Sequence, residues 1–157
     1  MQNFLSLAFS VFAVCFCVMT AADDRALKCL ADNAYFEATP GNVEDRIAVT
    51  WVVLNRANSL TRQWPADVCA VVYDPSADPE RPAACQFSWT CDGRSDRVPH
   101  AARVEYEQIV QQVRGVLDFG HHDPTFGATH YLRCEVQTTW RDALEFKTKI
   151  GEHCFYG

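Results

Sequence analysis

Six cysteines follow an apolar leader: Cys29, Cys69, Cys85, Cys91, Cys134 and Cys154. They constrain the fold more than any other feature. An even number in a short exported chain reads as three disulfides, with fifteen connectivities open. Two further cysteines, Cys15 and Cys17, lie in the leader itself. A metal site is the rival use of such a set. The chain has no C-x-x-C pair, however, and the Cys85–Cys91 spacing is too wide for a zinc knuckle. No metal and no cofactor are therefore expected.

The leader is a separate object. Phe4 to Met19 is an almost unbroken apolar run, closed by Thr20-Ala21-Ala22 and followed by Asp23-Asp24-Arg25. The run is shorter than the ~20 residues a membrane-spanning helix needs. Its small closing residues fit signal-peptidase cleavage after Ala22. A signal peptide over 1–22 and one folded domain over 23–157 are expected. The leader has no Lys or Arg, so an uncleaved N-terminal anchor is the alternative. Either way the domain is exported, periplasmic or extracellular, and after cleavage no stable membrane insertion is expected.

The hydrophobic fraction of 48% and charged fraction of 22% are those of a globular chain. A net charge of −6 argues against a nucleic-acid partner, which needs a basic face to neutralise phosphates. A monomer is the expected assembly.

Local signals point to an α+β fold, helices first and a small antiparallel element last. Asp23 or Asp24 can cap a first helix running to about Ala38, with Leu27, Leu30, Ala31, Ala34 and Tyr35 on one face. Pro40-Gly41 stops it, and Asn42 caps a second helix with a core stripe of Ile47, Trp51 and Leu54, Ala48 and Val52 beside it. Trp64-Pro65 opens a short third helix through Tyr73. Asp74 to Pro82 is a surface loop, and Cys85 to Cys91 is a turn or small hairpin. A long helix follows from Pro99 to Asp118, its stripe Ala102, Tyr106, Ile109, Val113 and Val116, with Gly120 as its C-terminal cap. Ala128–Cys134 and Lys147–Tyr156 are β-prone, with a tight turn at Gly151. Antiparallel pairing of these closing segments would join Cys134 to Cys154. Cys85–Cys91 is expected across the QFSWT loop, which leaves Cys29–Cys69 to tie the first helix to the third.

Composition and periodicity do not give an activity; five ordered blocks carry the reading further. They are Cys29 to Ala38 (CLADNAYFEA), Ala48 to Arg56 (AVTWVVLNR), Trp64-Pro65 with Val68 to Tyr73, Gln86-Phe87-Ser88 with Cys91-Asp92-Gly93, and finally Thr129-His130-Tyr131 with Gly151-Glu152-His153 and Phe155-Tyr156. In order and spacing this resembles the cell-wall hydrolase family typified by spore cortex-lytic enzymes. The family often reads Glu-Ala-Arg-Gly-Glu where this chain has Glu37-Ala38-Thr39-Pro40-Gly41, so a basic and a second acidic residue are missing. Cys134 and Cys154 lie outside the family pattern.

The resemblance implies a lysozyme-like fold over the 23–157 catalytic domain and, as partner, peptidoglycan glycan strands cut between N-acetylmuramic acid and N-acetylglucosamine. Glu37 then occupies the position of the single catalytic acid, which needs a raised pKa to serve as general acid at working pH. Tyr35, Phe36, Phe87 and Trp89 are the residues expected to desolvate it. A hydrolytic muramidase would instead need a second carboxylate about 5–9.5 Å away, for which Asp92 is the one candidate. Gln86, Ser88, His130, Tyr131, His153 and Tyr156 are the expected substrate-binding set. Each has a structural reading as well: turn satisfaction for Gln86 and Ser88, buried hydrogen bonding for His130 and His153, core packing for one tyrosine. Asn55-Arg56 reads as structural and His121-His122-Asp123 as a solvated loop. Two rival classes stand: a catalytically silent wall-binding module or secreted effector, and a Cys/His peptidase, which needs a free thiolate.

Overall fold

The computed structural model describes residues 21–61, 63–73, 85–120 and 122–157. The expected signal peptide, apart from the two residues that open the first helix, lies outside the described residues. So do the Asp74–Pro82 loop and His121. Among the described residues no helix is long and apolar enough to cross a membrane.

Among the described residues, four α-helices precede a three-stranded antiparallel sheet: α1 (Ala21–Ala38), α2 (Val43–Ala57), α3 (Val68–Tyr73), α4 (Arg103–Phe119), β1 (His130–Arg133), β2 (Phe146–Ile150) and β3 (His153–Tyr156). The sheet order is β1-β3-β2, with Tyr131 opposite Phe155 and Leu132 opposite Cys154. This is the α+β architecture read from the sequence.

Helix α1 begins ahead of the expected cap, so Asp23 and Asp24 sit in its first turn, where the helix dipole favours anions. Its inward face is Leu27, Leu30, Ala31 and Ala34, all buried. Asn42 caps α2 as expected, its side-chain oxygen accepting the Asp45 N–H at 2.8 Å. The core stripe of α2 differs from the expected one. Ile47, Trp51 and Leu54 are only partly buried, whereas Ala48, Val49, Val52 and Val53 are fully enclosed. The cause is that α2 is covered on two sides. Val49 and Val53 meet α1, and Ala48 and Val52 meet Phe155 and Ala128 at the sheet.

Helix α3 also starts later than Trp64-Pro65. The Asp67 carboxylate accepts the Ala70 N–H at 2.8 Å, and this cap sets the helix start at Val68. The CQFSWTC segment is a 3-10 turn over Ser88–Thr90, not a hairpin. Gly120 ends α4 in the left-handed conformation, φ 55°, as its position predicts.

The disulfides are Cys29–Cys69, Cys85–Cys91 and Cys134–Cys154, with Cα separations of 5.3, 6.2 and 5.0 Å. These are the pairs expected from the placement of the segments. They join α1 to α3, close the aromatic turn, and tie the end of β1 to β3.

Candidate active site

Glu37 lies in the last turn of α1, a turn that contains no basic residue. The negative end of the helix dipole therefore disfavours its ionised form. The Tyr131 hydroxyl donates to its Oε2 at 2.8 Å, so the site is assembled from the end of one helix and the edge strand of the sheet. Burial pushes the Glu37 carboxyl above its ordinary value. The Tyr131 hydrogen bond and the positive fields of His153 and Arg56 only partly offset that rise. The Tyr131 phenol is held well above its own usual range by burial and by the Glu37 carboxylate, so it stays a donor.

The cleft before Glu37 has a volume of about 370 Å³. It is lined by the Ala38–Gly41 turn together with Asp45, Arg133, Glu152 and His153. Its other two carboxylates are engaged. Asp45 is buried and pairs with His153 Nδ1 at 3.3 Å, and Glu152 pairs with Arg133 at 2.8 Å. Gly151 makes the first of these arrangements possible. It has φ 55°, and a β carbon there would strike the Asp45 carboxylate. Gly41 occupies the place where the resemblance leads one to expect a second acid. A β carbon there would strike the Ala38 carbonyl, so this backbone admits no side chain at that point.

Arg56 acts on the site through its charge. It is buried, donates through Nε to the Thr129 carbonyl at 2.7 Å, and lies 5.1 Å from the Phe87 ring centre and 5.7 Å from that of Trp64. Burial lowers its pKa to about 10, so it remains a cation whose field acts on Glu37 and Tyr131. The sequence points to a structural role for Arg56; the structure adds its positive field on Glu37 and Tyr131. An arginine at the end of an otherwise apolar helix face was the available signal.

The expected binding residues divide into separate groups. Tyr131 and His153 stand together beside Glu37, their rings edge-on at 5.4 Å. Gln86 is partly buried and accepts from Arg56 Nη1 and Trp64 Nε1, both at 3.3 Å. His130 points to the other face of β1, between Trp64 and Trp140, with its pKa lowered to about 4 by burial and by Arg56. Tyr156 is a buried core residue packed on Trp140 and Phe146. Ser88 is exposed at the start of its 3-10 turn. None of Gln86, Ser88, His130 and Tyr156 lines the Glu37 cleft.

Of the four aromatic residues expected to desolvate Glu37, Phe87 and Trp89 are buried in the core. Phe36 stacks on Trp89 at 4.5 Å, and none of the four lines the cleft. Asp92 is exposed, accepts the Arg94 N–H at 2.8 Å, and also lies outside the cleft. Asp123, from the histidine-rich loop, organises that loop by accepting from Thr125, Gly127 and Asn55.

A spore cortex-lytic enzyme of Halalkalibacterium halodurans is 30% identical over 135 residues, covering 84% of this chain and 34% of its own length. The chain thus spans about a third of that relative. Two solved structures share its fold, both at 23% identity and 89% coverage of this chain. They are the catalytic domain of the germination-specific lytic transglycosylase SleB from Bacillus anthracis (TM-score 0.66, all of that chain covered) and that of Bacillus cereus SleB (TM-score 0.62, 95% covered). Residues 41–156 match the family described as Cell Wall Hydrolase, a segment that starts just after Glu37. The chain belongs to the cell wall hydrolase family.

Proposed function

We propose that this chain is an exported enzyme that cleaves peptidoglycan glycan strands between N-acetylmuramic acid and N-acetylglucosamine, as a lytic transglycosylase with Glu37 as its one proton carrier. The observation that carries the reading is the Glu37 carboxyl itself. It opens on a cleft, is raised in pKa by burial, and is held by Tyr131.

Protonated Glu37 donates to the bridging oxygen as the C1–O bond of the muramic acid breaks. The resulting carboxylate then takes the proton of the same sugar's C6 hydroxyl, and O6 bonds to C1. The product is a 1,6-anhydro end, Glu37 is protonated again, and no water is consumed. Tyr131 fixes the carboxyl, and His153, oriented by Asp45, stands at the cleft wall where a sugar amide or hydroxyl would pass. Gln86, Ser88 and His130 act, in this account, away from the bond being cut.

Asp45 is engaged by the His153 ring and Glu152 by the Arg133 guanidinium, which favours one free acid over the two that a hydrolytic muramidase uses. All six cysteines of the domain are in disulfides, which leaves a thiol peptidase without its nucleophile. Mass spectrometry of fragments released from purified sacculi tests the proposal. Anhydro ends support it, reducing ends would show hydrolysis, and unchanged sacculi would leave only a binding module.

A further inference from the structure

A groove of about 440 Å³ lies between the segment around Trp64, the start of β1, and the Trp140–Leu144 turn. It shares no lining residue with the Glu37 cleft. Adjacent strand residues point to opposite faces, so His130 serves this groove while Tyr131 serves Glu37.

Its walls are three rings. Trp64 and His130 stand 5.7 Å apart at 65°, and His130 and Trp140 stand 5.5 Å apart at 41°. Each tryptophan is held from behind. Trp64 donates to Gln86 at 3.3 Å and lies against the Arg56 guanidinium, and Trp140 packs edge-on against Tyr156 at 5.9 Å. Both indoles remain partly exposed. Thr61, Gln63 and Thr129 add neutral hydrogen-bonding groups. Among the described residues lining the groove, no side chain is an acid, a lysine or an arginine. The His130 imidazole is neutral above about pH 4.

We infer that the Trp64–His130–Trp140 groove is a second carbohydrate subsite, taking an uncharged N-acetylated hexosamine ring at a distance from the bond that is cut. A pyranose ring has an apolar C–H face that lies on an aromatic wall and a rim of neutral hydroxyls and amide that meets threonine and glutamine. Among the described lining residues, a peptide carboxylate or a phosphate would find no counter-charge. The Glu37 cleft contrasts with it, being lined by Asp45, Arg133, Glu152 and His153. That the ring belongs to a wall glycan rests on the function proposed above; the sugar chemistry of the groove does not.

The test is a titration of the nitrogen-15-labelled protein with N,N′,N″,N‴-tetraacetylchitotetraose. The four tryptophans give four indole N–H signals. Those of Trp64 and Trp140 should shift saturably. That of Trp89, bonded to Asn33 in the core, and that of Trp51 should stay in place. Trp140→Ala should weaken binding about tenfold, the loss of one aromatic contact, and Trp140→Phe should restore most of it. If Trp140→Ala does not fold, the indole shifts of the unaltered protein decide alone. Silent Trp64 and Trp140 signals, or shifts confined to the amides of Gly41 and His153 at the Glu37 cleft, would overturn the inference. Indole shifts from a protein that leaves sacculi intact would count against the proposed activity and not against the groove. Cleavage with silent indoles would count against the groove alone.

Discussion

Tyr131 donates its phenolic hydrogen to Glu37 across 2.8 Å, joining the edge strand of the sheet to the last turn of α1. The two residues are far apart in the chain, so the bond exists only once helices and sheet have docked. It ties the position of the acid to the integrity of the whole domain.

Removing that bond separates positioning from packing. The bond lowers the Glu37 pKa, so Tyr131→Phe should raise it further. The alkaline limb of the pH–rate profile should move to higher pH, while kcat falls about tenfold as the carboxyl loses its fixed orientation. A purely structural role for Tyr131 would lower stability and leave the limb where it was.

The raised pKa of Glu37 also has a stability consequence. The folded chain holds this proton more tightly than the unfolded chain. The contribution is therefore fully present below the ordinary carboxyl range and is lost as pH rises toward the folded value. Glu37→Gln should thus gain stability relative to the unaltered protein as pH rises through that window, read as a growing difference in Tm. His130 runs the other way. Its folded pKa of about 4 lies below the ordinary 6.5, so its contribution is lost as pH falls from 6.5 toward 4. An equal Tm difference for Glu37→Gln at every pH would contradict the assignment of the raised carboxyl.

The disulfides should contribute unequally. Cys29–Cys69 spans 40 residues and Cys85–Cys91 only 6. Loop-closure entropy alone gives about 4 kcal/mol for the first and about 2 kcal/mol for the second. Paired Cys→Ala variants measured by denaturant unfolding should show the longer link to be the costlier loss.

Much of this was legible in the chain. The spacing of Leu27, Leu30, Ala31 and Ala34 marked α1, Asn42 marked the start of α2, and the glycines at 120 and 151 sit where a left-handed residue is needed. Glu37 is the acid that the motif around it points to, and its role is the proposal made above. Local pattern failed where a competing local group or a third body intervened. Asp67 displaced the start of α3, and the sheet covered a second face of α2 that single-face periodicity does not anticipate. The pairing of Asp45 with His153 and the Trp64–His130–Trp140 groove bring together distant segments, and no spacing rule joins them.

The central claim is that Glu37 carries the proton in both halves of the reaction. Gln at this position keeps the shape and can still accept from Tyr131, but it cannot give up and regain a proton. Loss of general acid catalysis is typically worth roughly 10²–10⁴-fold, and because one group serves both steps the upper end is expected. The decisive measurement is the rate at which Glu37→Gln, shown to be folded by its Tm, releases 1,6-anhydro fragments from sacculi. The account predicts a fall of about 10⁴-fold. Near-normal release by the folded variant would contradict it.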